Sequence, residues 1–261
     1  MTEILQKSLP YDPFQPRPMP GIAPLDPADW LVIDDAYDGQ MNTRAELLTD
    51  HRDVVLQLDP SARAAADELL DHVLANLAQY HGDAFDRDGD EIRRPDGQVI
   101  PLDRSDPLAT LAKLVPDDFC LLQKRPENSG DEHVLTGALL CFPASWSLDE
   151  KFMQPLTFIH VPVASYDASI AKRVQRLFDG VQPARPLWRF NALWYDDATL
   201  HQPSRSDAKR NAPDPDSAPY FRSEKQCILR LPKTQAVVFS IHTFVLARTD
   251  VLALQAGTTR I

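Results

Sequence analysis

The sequence predicts an α+β fold: one curved antiparallel sheet with an N-terminal helical extension. Three observations carry this expectation. Helix-spaced apolar residues dominate the early chain, two strand-like runs flank a polar reversal at 127–132, and three more strand-like runs follow a later helix. With 261 residues and 43% hydrophobic content, the chain can bury a sizeable core.

Residues 10–27 hold seven prolines, which remove backbone donors and fix φ, so neither helix nor central strand is expected there. The reading is a Pro-rich extended arm over 1–30, anchored by Trp30-Leu31-Val32-Ile33. The rest, 31–261, reads as a single domain that is helical to about residue 115. A rough helical spacing at Ala45, Leu48, Val55 and Leu58 suggests a short helix. A stronger one starts at Asp59, which can cap, with Pro60 in the first turn and Ala65, Leu69, Val73, Leu77 and Tyr80 forming the stripe. The acidic run at 86–91 lacks the glycine position and closing Glu of a calcium loop. Asp88-Gly89 and Asp96-Gly97 predict tight turns between short strands near Ile92 and Ile100.

Residues 119–124 and 134–142 predict a hairpin, 147–151 a helical turn, and 156–161 a further apolar, strand-like run. A helix over 168–178 presents Ile170, Val174, Leu177 and Phe178. Residues 187–195, 221–231 and 236–247 complete the sheet, with a Pro, Asp and Ser-rich loop at 203–219 that is expected to be mobile or to lie over a surface.

Composition narrows the function. Lys+Arg number 27 against 38 Asp+Glu, a formal charge of -11 that disfavours nucleic acid and anionic membrane surfaces as partners. The absence of a signal-peptide core or spanning stretch makes the cytoplasm the expected location. Cys120, Cys141 and Cys227 read as reduced core thiols. Nucleotide-binding glycine motifs, a nucleophile elbow and H-E-x-x-H are absent, so a redox activity would draw its electrons from another chain.

Two histidines stand in apolar runs, His160 and His242. Either is a hydrogen-bonded core residue or, as a neutral imidazole in an apolar setting, an iron ligand. Read with period two, 221–231 places Arg222, Glu224, Gln226, Ile228 and Arg230 on one face, either solvated or lining a polar pocket. Arg189 and Asn191 could join it.

These residues fall in blocks that resemble the haem-dependent oxidative N-demethylase family of the α-subunit type, which includes dimethylamine monooxygenase subunits. The blocks are Phe142-Pro143 through Trp146 to Lys151, then Ile159-His160-Val161-Pro162-Val163, Arg189-x-Asn191, Arg222-x-Glu224-x-Gln226 with Arg230, and 238–244. The sequence departs from the family pattern at Ala164, where a Pro is expected, and at Ala192, where a Trp is expected, which would enlarge the pocket.

The resemblance implies a PAS-like domain enclosing haem b, with His160 as the iron ligand and Arg189, Asn191, Arg222, Gln226 and Arg230 around the cofactor. It also implies oxidation of an N-methyl group of a small alkylamine by O2, with formaldehyde released. NADPH-derived electrons would come from a reductase subunit carrying flavin, an iron-sulfur cluster or both. Glu224, Tyr195 and Trp194 are the candidates for receiving the alkylammonium. The rival expectations are a haem-based PAS-type gas or redox sensor and a non-catalytic binding subunit.

Overall fold

The computed structural model describes residues 3–15, 21–125, 132–159, 168–205 and 213–257, and for 168–172 the backbone alone. The fold is α+β. Its main sheet has seven strands: β1 (Ala23–Pro24), β2 (Leu56–Leu58), β6 (Asp118–Lys124), β7 (His133–Leu139), β8 (Leu187–Tyr195), β9 (Tyr220–Arg230) and β10 (Val237–Ala247). They lie in the order β1-β8-β9-β10-β6-β7-β2, every pair antiparallel. A smaller sheet joins β3 (Asp86–Asp88), β4 (Glu91–Arg93) and β5 (Val99–Pro101). Gly89 and Gly97, at φ 58° and 80°, make its two turns as the Asp-Gly pairs predict. The acidic run at 86–91 is thus a hairpin.

The helices are α1 (Tyr37–Asp50), α2 (Arg52–Val55), α3 (Arg63–Tyr80), α4 (Pro107–Leu114), α5 (Leu148–Lys151), α6 (Leu156–Ile159), α7 (Ala168–Gly180) and α8 (Arg248–Gln255). None of those described is long and apolar enough to cross a membrane. At the start of α3, Asp59 accepts from Ser61 N–H and Pro60 opens a short 3-10 turn, as the sequence signals predict. Two expectations change. The rough pattern at 45–58 resolves into two helices and a strand, with Leu58 in β2. The run at 156–161 is helical as far as Ile159, not strand-like.

Period-two alternation sorts the sheet into two faces. On one face, Phe119, Leu121, Cys227, Leu229 and Val238 pack with Trp30, α1, α3 and α4 in the largest core. On the other, Cys120, Leu122, Ile228, Val237 and Phe239 pack with α5, α6 and α7, including Val174, Leu177 and Phe178. We call these the α3 face and the α7 face. The side chain of Ile170 lies outside the described set. Leu9 and Tyr11 of the N-terminal segment are buried against Phe221, Phe244 and Leu246 on the α3 face, and the Tyr11 hydroxyl lies 2.9 Å from Ser223 Oγ. All three cysteines are free and buried, and burial pushes each thiol up to about 12.

A buried ion pair fixes one end of the sheet. Arg44 of α1 donates to Asp118 at 2.7 Å, and Asp118 also accepts the backbone N–H groups of Cys141 and Phe142 at 2.8 and 2.7 Å. The remaining guanidinium donors of Arg44 go to the carbonyls of Ala112, Pro116 and Asp117, so both charges are fully engaged.

Candidate functional site

Strand register brings the site together. Arg189 pairs with Gln226 and Asn191 with Glu224 across β8 and β9, while Glu224 pairs with Thr243 across β9 and β10. Directly paired residues share a face, so Arg189, Asn191, Glu224, Gln226 and Thr243 all point to the α7 side. Arg222 and Arg230 share it by alternation.

Glu224 is the centre of the group. Its Oε2 accepts from Asn191 Nδ2 at 3.0 Å and Gln226 Nε2 at 3.1 Å, and its backbone N–H donates to Asn191 Oδ1 at 3.2 Å. Oε1 lies 3.9 Å from Arg222 Nε, with the Glu224 side chain 12% exposed. Two amides therefore orient one half-buried carboxylate. Arg189 stands beside it, with Nε buried and without a hydrogen-bond partner among the described residues. Burial pushes this guanidinium below its ordinary value, and the Glu224 charge restores part of that. Guanidinium does not shed its proton, so a desolvated donor lacking an acceptor leaves an unmet demand for an anion.

A planar anion with an apolar body matches that demand, and a carboxylate pinned by amides suits a small cation. The model of a family described as haem-dependent oxidative N-demethylase, alpha subunit-like, matches residues 21–257. The chain belongs to this family. The family read from the blocks at 142–163 and 189–244 is the one found, and the match spans β1 to α8. Haem-dependent oxidative N-demethylation makes this a family of oxidoreductases, and the alpha-subunit description implies a partner subunit.

The residues present fit the haem that the family name carries. Arg189 offers a guanidinium of the kind that would pair with a haem propionate, and Phe239, Ile228 and Leu187 give the same face an apolar floor. Arg222 and Arg230 are employed differently. Arg222 donates to the carbonyls of Leu200 at 3.0 Å and Phe142 at 2.7 Å, with its guanidinium 5.8 Å from the Tyr195 ring centre. Arg230 binds the carbonyls of Val181, Gln235 and Phe178 at 2.7, 2.8 and 2.5 Å. Both arginines tie strands to loops, which gives them structural duties beside the Arg189 and Glu224 cluster. Tyr195 is buried at the far end of the face.

His160 and Ala164 lie outside the described residues. The chain leading to them is described. Leu156 and Ile159 of α6 pack with Ile228 and Phe239, so the residue before His160 lies on the side of the sheet that carries Glu224.

His242, the other candidate ligand, is on the opposite face and is 1% exposed. Its Nε2 lies 3.5 Å from Asp34 Oδ2 and its Nδ1 3.7 Å from Asp117 Oδ1. These are ion-pair rather than hydrogen-bond distances, so the attraction is coulombic. Burial alone would push the ring down, but Asp117 and Asp34 outweigh it and raise His242 to about 9. An imidazole raised in this way would have to give up its proton before it could bind iron, and it stands on the face opposite Glu224.

Two further expectations are corrected by strand alternation. Trp194 faces the α3 side, its ring 5.1 Å from Phe221 and 4.5 Å from the Arg248 guanidinium, so it does not stand with Glu224. Ala192 shares that side. The room it leaves belongs to a groove of about 520 Å³ that wraps the edge of β8, lined by Phe14, Trp194, Tyr195 and Phe221 among others but by neither Arg189 nor Glu224. Sequence reasoning assigned no role to Thr243, which lies across from Glu224, fully buried, with an Oγ1 that has no partner among the described residues. The signal for it was its place in the 238–244 block.

Proposed function

We propose that the chain is the haem-carrying catalytic subunit of an N-demethylase for a small methylated amine such as dimethylamine, yielding formaldehyde and the demethylated amine. The observation that carries the reading is Arg189, its buried Nε without a hydrogen-bond partner among the described residues, beside the amide-held Glu224 carboxylate on the face that α6 covers. In this reading the unit at 31–261 is PAS-like, helical to about residue 115, preceded by the arm at 1–30, and works in the cytoplasm. Haem b, when bound, supplies the redox chemistry with O2, drawing NADPH-derived electrons from a reductase subunit with flavin, an iron-sulfur cluster or both.

His160 is the iron ligand in this proposal, entering from the end of α6. Arg189 meets a propionate, Asn191 and Gln226 hold Glu224 in place, and Arg222 and Arg230 keep the strand ends fixed to their loops. Glu224 receives the substrate ammonium. Its Oε2 is filled by two amide donors, so Oε1 is the atom that faces the cation and can take the O–H proton of the N-hydroxymethyl group as the C–N bond breaks. Formaldehyde leaves, and the proton passes to the amine nitrogen that keeps the bonding pair. Tyr195 closes the wall behind Arg222.

The test supplies the haem-loaded protein with a competent NADPH-dependent reductase and dimethylamine. Amine-dependent NADPH consumption with matching formaldehyde release is the expected result. A haem-loaded protein that releases no formaldehyde from any small methylated amine overturns the reading and leaves a sensor.

A further inference from the structure

Thr243 is the polar exception in an apolar row. Strand alternation puts Val237, Phe239, Ile241, Thr243 and Val245 of β10 on the α7 face, and the register sets Thr243 directly opposite Glu224. Its side chain is buried, yet Oγ1 has no hydrogen-bond partner among the described residues. Other buried hydroxyls are engaged. Thr110 donates to Asp103 O and Thr136 to Gln123 Oε1, both at 2.8 Å, Ser223 donates to Asn191 O at 2.7 Å, and Ser240 accepts from Trp30 Nε1 at 2.9 Å.

A β-branched residue suits this strand, and valine would supply the same shape with no group to satisfy. An unpaired hydroxyl in the interior costs stability that its apolar isostere does not. A loose strand does not account for the orphan. The Thr243 carbonyl accepts from Gln40 Nε2 at 2.8 Å and from Gln6 Nε2 at 3.3 Å, so the main chain is held at this residue.

Geometry relates the hydroxyl to the Glu224 carboxylate. Asn191 flanks Glu224 from β8 and Thr243 flanks it from β10. Asn191 and Gln226 fill Oε2, which leaves Glu224 Oε1 and Thr243 Oγ1 as the acceptors still open to a ligand. Directly paired residues hold their Cβ atoms about 4.5–5.5 Å apart. Two acceptors sharing one tetrahedral nitrogen, each at a hydrogen-bond distance of roughly 2.9 Å, stand about 4.7 Å from each other. The two spacings fall in one range. Ile241 and Val245, on either side of Thr243 along the strand, are apolar and suit methyl groups.

We propose that Thr243 is a specificity-determining residue: its hydroxyl accepts the second N–H of the substrate ammonium whose first N–H goes to Glu224 Oε1. Protonated dimethylamine has two N–H groups and protonated trimethylamine has one, so the site favours the secondary amine. The inference rests on the reading of Glu224 as the ammonium acceptor.

The test measures kcat/KM for dimethylamine and for trimethylamine, by formaldehyde release, in haem-loaded wild type, Thr243→Val and Thr243→Ser with the same reductase. Wild type is expected to favour dimethylamine. Thr243→Val should lose about 10-fold with dimethylamine, the worth of a hydrogen bond to a charged donor, and stay within about twofold with trimethylamine. Thr243→Ser, which keeps the hydroxyl, should retain the wild-type ratio. A general weakening of the fold would lower both amines together and leave their ratio alone. If Thr243→Val does not fold, Thr243→Ala takes its place with the same expected ratio. A wild-type ratio in the Val or Ala protein, or a wild type that favours trimethylamine, overturns this inference alone. Release of formaldehyde from neither amine by the wild type overturns the demethylase reading and this inference together.

Discussion

The two faces of the β8 to β10 sheet each hold a cation, buried in one case and half-buried in the other, and treat it in opposite ways. On the α3 face, His242 lies between Asp34 and Asp117, with Gln6 donating to Asp34 at 3.2 Å, so its charge is balanced within the chain. On the α7 face, Arg189 has no acceptor among the described residues, and the carboxylate next to it is already held by two amides and approached by Arg222. Balanced charge of the first kind specifies a core. Imbalance of the second kind persists in a fold where a ligand completes it, and this difference is the ground on which the α7 face is proposed as the working side.

The sharpest way to break this contrast is to delete each cation. His242→Ala strands the buried carboxylate of Asp117 and the half-buried one of Asp34 and is expected to cost about 3 kcal/mol, read by urea unfolding at pH 7. Arg189→Ala should cost less than about 1 kcal/mol in the haem-free protein, because relief of an unpaired buried charge offsets the lost packing of its stem. Its effect should instead appear in haem titration, as a loss of roughly 10-fold, the worth of one charge-assisted pair. Equal stability losses from the two substitutions would dissolve the distinction between the faces.

Proton linkage tests the α3 side without mutation. His242 is raised in the folded state, from an ordinary 6.5 to about 9, so its contribution is complete below pH 6.5 and disappears as pH rises through 9. Stability should fall by up to roughly 3 kcal/mol over that window. His133 behaves in the reverse sense. Burial pushes it down to about 4, with Asp179 opposing, so it weakens the fold as pH drops from 6.5 toward 4. Urea midpoints measured between pH 4 and 10 should therefore decline on both sides of pH 6.5, and a plateau up to pH 10 would mean that His242 is neutral in its pocket.

On the α7 side, the charge of Glu224 is the component to remove. Glu224→Gln keeps shape and one acceptor, so haem binding should be unchanged within twofold, while amine turnover loses a charge-assisted partner worth about 2–3 kcal/mol, roughly 30- to 150-fold in kcat/KM. A variant that loses haem instead would place Glu224 on the cofactor rather than the substrate.

How much of this was legible in the sequence depends on how local each cause is. The Asp59-Pro60 cap and the stripe of α3 are local, and so are the faces of β8 and β9, which follow from period two. α4 left no stripe because it is buried nearly all round, although Asp106 before Pro107 marks its start through a capping bond to Ala109 N–H. α6 is a four-residue apolar turn, too short to show a period, and so reads as a strand. The roles of the arginines were not legible at all. Arg222 and Arg230 donate to carbonyls of Phe142, Leu200, Phe178 and Val181, far away in sequence, whereas Arg189 Nε has no acceptor among the described residues. His242 is likewise decided by Asp34 and Asp117, which no local pattern joins to it.

Ala192 gives the smallest and most discriminating effect. The family pattern expects Trp at this position, and read along the sequence a small residue there widens the substrate pocket. Strand alternation puts it on the other face, where it meets the edge groove beside Phe14 and Trp194. Ala192→Trp should therefore fill groove rather than site. Stability should change by no more than about 0.5 kcal/mol, as at other open positions, and the KM for the amine should stay within about twofold. A large change in KM with haem affinity preserved would show that the groove and the Glu224 cluster communicate through the β8 backbone, and that the two faces are less separate than their charges suggest.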